Sequence, residues 1–158
     1  AILAHSQTSV DFILDGIHVN PAVIKMALAC KGNNHVSLIT DANVVAGMPP
    51  GNYIGLGGTE VELQHEGGPA LMGKNSRYPG GLAGSGLTMD KAVRNAVVLL
   101  GVSVPQAIAM ASSNPARVLG LHNSKGFIKE GHDADIVMLD KDLNVIQCWV
   151  EGRSYFKI

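Results

Sequence analysis

Aromatic side chains are scarce in this sequence of 158 residues, at 4%, and charged residues make up only 16%. The formal net charge is -1, and no block of lysine or arginine appears, so the electrostatic footprint of a nucleic-acid partner is missing. No apolar run reaches the roughly 18 residues that a membrane-spanning helix needs. The N-terminus shows no charged segment followed by an apolar stretch, so no signal peptide is visible. Cysteine is nearly absent: Cys30 and Cys148 make neither a disulfide framework nor a Cys-x-x-Cys pair, which fits reduced thiols in a cytoplasmic protein. His-x-His and His-Glu-x-x-His are missing too, and His5, His35, His65, His122 and His132 are scattered. A catalytic zinc site takes roughly three protein ligands. No convincing trio exists, so no metal ligand is assigned.

What is present is a chain 46% hydrophobic, enough for one compact core. Val, Ile, Leu and Ala without aromatics fit a layered α/β core. Val10–Leu14 reads as a buried strand running into the polar cluster Asp15–Val19. Asn20 then Pro21 marks a helix start, with Val23, Ile24, Ala27 and Leu28 as its apolar face and Lys31-Gly32 as its end. Val36–Thr40 is the next strand, with Asp41 at its end, and the three elements predict a parallel βαβ unit. Twelve of the 19 glycines lie between Gly47 and Gly86. Residues 43–87 are expected to be a glycine-rich insertion: a hairpin of Tyr53–Leu56 and Thr59–Leu63, then loop. Thr88 is placed to cap a helix whose inward face is Met89, Ala92, Val93, Ala96, Val97 and Leu100, ended by Gly101. Ser103 with Pro105 starts another helix, with Ala107, Ile108 and Ala111 inward, and Asn114-Pro115 starts a third. Ala134–Leu139, Val145–Val150 and Ser154–Phe156 read as strands of a small β tail.

Three places could carry chemistry. Asp41 follows an apolar strand and precedes a Gly/Pro-rich loop; in parallel α/β folds reactive groups gather at the carboxyl ends of strands. A carboxylate there can move protons, although a cap or turn aspartate has the same local signature. His18 with Asp15 should open onto the same face as Asp41, with a satisfied core histidine as the competing reading. The glycines of Gly80–Gly86 allow backbone amides to approach a ligand before a helix N-terminus, or simply make a tight turn; the Gly-Lys-Ser/Thr ending of a phosphate-binding loop is missing. Glu130–Asp135 holds close carboxylates and reads as a solvated turn.

Several segments together resemble one family. Asp15-Gly16-Ile17-His18-Val19, Leu38-Ile39-Thr40-Asp41-Ala42, Leu82-Ala83-Gly84-Ser85-Gly86-Leu87-Thr88-Met89 and Ala92-Val93-Arg94-Asn95 are similar, in that order, to the N-acetylglucosamine-6-phosphate deacetylases. Ser113–Leu121 and Gly126–Val137 resemble segments found more widely in the amidohydrolase superfamily.

The resemblance implies an α/β fold, a (β/α)8 barrel with a flanking β-sandwich. A barrel alone takes about 250 residues. The chain is therefore expected to be the C-terminal part: closing barrel strands over 1–121, sandwich strands over 122–158. It implies a divalent metal, zinc first among candidates, whose Glu and His ligands lie outside this sequence, so the chain alone should be inactive. It implies Asp41 as general base and then general acid in hydrolysis of an acetamide. Asp15, Gly16, Ile17, His18, Leu82, Ala83 and Gly84 are the implied contacts to an N-acetylated amino-sugar phosphate. A cytoplasmic homodimer is the implied form. Two other readings stand beside this one: a different amidohydrolase, acting on N-acetylgalactosamine 6-phosphate or a cyclic amide, and a non-catalytic sugar-phosphate binding or assembly domain.

Overall fold

The computed structural model describes residues 1–157. Strand β1 (Val10–Ile13) and strand β2 (Val36–Ile39) are joined by helix α1 (Pro21–Lys31). The strands pair in parallel, Val10 opposite Val36 and Ile13 opposite Ile39. The βαβ unit expected from the sequence is thus present. Asn20 caps α1 through its side-chain oxygen, which accepts from the Ala22 N–H at 2.9 Å, and Pro21 occupies the first turn, where no N–H is needed. Lys31, buried, closes the helix. Its ammonium donates to Thr8 Oγ1 at 2.7 Å and to the His5 carbonyl, fastening the leading segment to the helix end.

The apolar face of α1 is narrower than expected. Ile24 and Ala27 are buried, but Val23 is 44% exposed. Each residue advances about 100° around a helix, so Val23 is turned away from the i, i+3 line that Ile24 and Ala27 define. The same correction applies in helix α3 (Val104–Ala111): Ala107 and Met110 are buried, and Ile108 lies 37% exposed. Helix α2 (Met89–Asn95) passes without a break into a wider π-turn over Ala96–Leu100, and Gly101 stops it in a left-handed conformation. Thr88 precedes α2 but makes no side-chain cap. Ile24, Val36, Leu38, Ala92, Ala96 and Met110 belong to one buried cluster, so α1, α2 and α3 all cover the two-stranded sheet.

Helix α4 (Ser113–Val118) starts a residue before Asn114-Pro115. Asn114 does not cap it. Its side chain is buried, and Nδ2 donates to the carbonyls of Asn33 at 2.6 Å and Val36 at 2.8 Å, bolting α4 to the entry of β2.

The insertion is a sheet, not a hairpin followed by loop. Strands β3 (Gly51–Ile54), β4 (Glu60–Leu63), β5 (Pro69–Met72) and β6 (Leu82–Ser85) run antiparallel in sequential order. The loop expected over Gly80–Gly86 is therefore largely strand. Pro69 masked β5 in the sequence, yet it stands at the strand's first position, where a missing N–H is tolerated. Val45, Val61, Leu63 and Ala70 form a second buried cluster under this sheet. That small core gives glycine-flanked segments a reason to be strands.

The tail is an antiparallel meander of β7 (Ile136–Leu139), β8 (Val145–Val150) and β9 (Arg153–Lys157); β7 begins two residues later than expected. Arg94 of α2 reaches it, donating to the Leu143 carbonyl at 2.7 Å and Asn144 Oδ1 at 3.2 Å while pairing with Asp90 at 2.7 Å.

Replacing Asn114 by Ala strands two carbonyls beneath α4. The expected loss is about 1–3 kcal/mol of unfolding free energy, read from urea denaturation; a change under about 0.5 kcal/mol would show that water replaces the amide there.

Candidate functional site

Parallel strands end on the same side of their sheet. Asp15–His18, after β1, and Asp41, after β2, therefore emerge at one end of the two-stranded sheet. Asp41 is exposed at the turn out of β2, with φ at +48°. Left-handed backbone is uncommon for any residue but glycine, although aspartate tolerates it better than most.

Strand β6 comes up beside this turn. The Ser85 N–H donates to the Asp41 carbonyl at 2.8 Å, and the Asn43 N–H donates to the Ser85 carbonyl at 2.8 Å. Gly84 lies against Asp41 itself. A Cβ on Gly84 would stand 2.7 Å from the Asp41 carbonyl oxygen and 3.6 Å from Asp41 Oδ2, and the Gly84 φ of +79° is one that side chains rarely adopt. Glycine is thus required where the two backbones meet.

Asp41 opens into a cavity of about 410 Å³ that Ala83 and Gly84 also line, together with Asn43, Leu56 and Met72. Of the residues singled out from the sequence, Asp41, Ala83 and Gly84 meet here; Leu82, exposed on β6, and Asp15–His18 do not line this cavity. The Ala83 carbonyl is already engaged, accepting from Asn43 Nδ2 at 2.6 Å.

Asp15 and His18 form a unit of their own. Asp15 Oδ1 accepts from the N–H groups of Ile17 and His18, both at 2.9 Å. Asp15 Oδ2 faces His18 Nδ1 at 2.6 Å. A carboxylate at Nδ1 makes that nitrogen the donor and leaves Nε2 as the ring's remaining polar atom. Burial works to raise the Asp15 pKa, but the two backbone N–H groups and the His18 ring outweigh it, so the carboxyl titrates below its ordinary range. Gly16, at φ +81°, allows the tight turn between them. Ile17 stays 51% exposed.

Glu130–Asp135 is a solvated ion-pair turn: Lys125 bridges Asp133 at 2.8 Å and Asp135 at 2.5 Å. Among the described residues no group of three His, Cys, Asp or Glu could hold a metal ion.

Sequence reasoning missed the supporting residues. Asn43 fixes the Ala83 carbonyl, Ser85 braces the Asp41 turn, and Asn95 Nδ2 donates to the Leu14 carbonyl at 2.8 Å, just before Asp15. Ser85 and Asn95 lay inside segments already noticed, but nothing in a linear sequence says which polar side chain there turns inward.

Residues 16–155 match the model of the amidohydrolase family. Over 151 residues the chain is 42% identical to a protein of Escherichia coli K12 provisionally designated an N-acetylgalactosamine-6-phosphate deacetylase, covering 96% of this chain and 85% of that one. It is 38% identical over 154 residues to the N-acetylglucosamine-6-phosphate deacetylase of Vibrio furnissii, covering 98% of this chain and 36% of the relative. A solved structure of the Mycobacterium smegmatis N-acetylglucosamine-6-phosphate deacetylase matches with a TM-score of 0.82 at 33% identity, over 97% of this chain and 39% of that one. That structure is of an aspartate-to-alanine variant in complex with N-acetylglucosamine 6-phosphate. The chain thus spans well under half the length of the Vibrio and Mycobacterium proteins.

Two outcomes are expected. Because the Asp15 carboxyl is held below its ordinary value of about 3.9, its contribution is full above that value and fades as pH falls through the lowered one. The stability gap between wild type and Asp15→Asn, measured by urea unfolding, should therefore hold from about pH 7 to about pH 5 and shrink below about pH 4. Gly84→Ala should lose about 1–3 kcal/mol from strain at positive φ, seen as a lowered Tm.

Proposed function

Because the chain belongs to the amidohydrolase family, we propose that it supplies the proton-transferring segment of a deacetylase acting on an N-acetylated hexosamine 6-phosphate. The observation that carries this reading is Asp41 itself, a carboxylate after a parallel strand, opening into a cavity beside Gly84. Amide hydrolysis needs a base and then an acid. Water adds to the acetamide carbonyl carbon and gives up a proton, which the Asp41 carboxylate takes. The same proton then goes to nitrogen as the C–N bond breaks, because an amide anion is a very poor leaving group. The products are acetate and the free amino sugar phosphate. One carboxylate serves both steps, since the first prepares it for the second.

The divalent metal usual in this family finds no complete ligand set among the described residues. It would have to be held by residues outside them, and the share of the chemistry in this chain is the proton relay. His18, its ring fixed by Asp15, is the side-chain contact to the sugar on this reading, and Gly16, Ile17, Leu82, Ala83 and Gly84 contribute backbone. Residues 1–121 are then the closing part of a (β/α)8 barrel, with the β3–β6 sheet inserted, and 122–158 are strands of a flanking sandwich. A cytoplasmic homodimer is the form that the resemblance implies.

The higher identity to the Escherichia coli protein favours a second reading within the same chemistry, with N-acetylgalactosamine 6-phosphate as substrate. The two sugars differ only at the C4 hydroxyl, so the role of Asp41 is unchanged.

Acetate release from both sugar phosphates, by the complete protein that carries this segment, tests both readings. Asp41→Asn should lower kcat by about 10²–10⁴-fold, the usual worth of a positioned acid/base, with Tm unchanged. Retention of more than a tenth of the turnover would remove Asp41 from the reaction, and the ratio of kcat/KM for the two sugars assigns the substrate.

A further inference from the structure

Asp41 has to keep a backbone conformation that aspartate alone does not favour, and nearly everything that holds it there belongs to one residue. Ser85 is fully buried at the end of β6. Its hydroxyl donates to the Thr40 carbonyl, immediately before Asp41. Its N–H donates to the Asp41 carbonyl, and its carbonyl accepts from the Asn43 N–H, both at 2.8 Å. The peptide groups before and after Asp41 are therefore tied to a single side chain and its own backbone. The hydroxyl is also fixed from the other side, accepting the Leu87 N–H at 3.1 Å. Leu87 is buried in the cluster that covers β1 and β2, so the brace is anchored to the main core and not to a mobile turn. Ala42 and Ser85 form the parallel bridge that joins the two sheets at this point.

We infer that Ser85 is a positioning residue for Asp41: its hydroxyl and backbone lock the φ of +48° that aims the carboxylate into the cavity. The inference rests on the proton-transfer reading of Asp41. The backbone bonds of Ser85 survive any side-chain change, so the hydroxyl is the part a substitution can remove. Without it the Thr40 carbonyl and the Leu87 N–H both lose their buried partner. The turn then relaxes toward the ordinary backbone regions, because the strain at Asp41 persists only while its surroundings over-determine it. Misplacing a reacting group by about 1 Å can cost about 100-fold in rate. The His18 contact to the sugar, held by Asp15 at the end of the other strand, is expected to persist.

The test uses Ser85→Ala, Ser85→Thr and Asp41→Asn in the complete enzyme, with kcat, KM and Tm measured for each and a crystal structure of Ser85→Ala. The expected result is a kcat lowered about 10–100-fold in Ser85→Ala with KM within twofold. Ser85→Thr, which keeps the hydroxyl, recovers most of the loss, and the crystal structure shows Asp41 out of the left-handed region. The double variant Asp41→Asn/Ser85→Ala is no slower than Asp41→Asn alone, since the serine acts only through the aspartate. Ser85→Ala with wild-type kcat, or with Asp41 still left-handed, overturns the inference while leaving the role of Asp41 intact. Equal losses from Ser85→Ala and Ser85→Thr at matched Tm also overturn it. Should Ser85→Ala fail to fold, Ser85→Cys takes its place, with the same outcomes expected of kcat and of the Asp41 φ. Full turnover in Asp41→Asn overturns the reading on which the inference rests, and the inference with it.

Discussion

Two parallel strands cannot be joined by a tight turn; the chain must cross back over the sheet before pairing again. Here that crossover is α1, and the register it permits sets Val10 beside Val36 and Ile13 beside Ile39. Everything chemical in the chain follows from that geometry. Both strands deliver their carboxyl ends to one side, where Asp41 and the start of the Asp15–His18 turn each stand two residues past the last ladder pair. The ladder is covered by Ile24, Ala92 and Met110, which pack with Leu38 of β2 in one cluster, and Asn114 anchors the amino end of β2. The sheet end can then present exposed polar groups because its middle is buried.

The inserted sheet has its own small core around Val45, Val61, Leu63 and Ala70. It meets the β1–β2 sheet where the Thr40–Asn43 turn bonds to Ser85. Asp41 stands at that junction. On the proposed reading, a proton-transferring carboxylate benefits from such a place: it needs an open cavity in front and a rigid backbone behind. Gly84 provides the space and the network around Ser85 the rigidity. On the neighbouring strand Asp15 does comparable work for His18, holding one ring nitrogen so that the other is presented in a fixed direction.

Some large apolar side chains reach the surface. Val98, in the π-turn after α2, and Leu119 and Ile128, both outside the helices, are each at least 70% exposed, as single aliphatic side chains on a protein surface often are. The chain spans 36–39% of the Vibrio and Mycobacterium deacetylases that it resembles.

The sequence by itself determined the elements whose signals are local: the Asn20-Pro21 helix start, the apolar runs of β1 and β2, the meander of the tail, and the positions of Asp15, His18 and Asp41 at strand ends. These depend on capping, periodicity and turn chemistry among near neighbours. Only the tertiary structure decided what Gly80–Gly86 becomes, because β6 exists through pairing with β5 and contact with the distant Asp41 turn. It also decided that Val23 and Ile108 face outward, and that Asn114, Asn95 and Ser85 turn inward to bond carbonyls 45 to 81 residues away. A polar side chain carries no mark of its partner. Which way it turns is fixed by the folded backbone that brings an unpaired group within reach, and that information is spread over the whole chain.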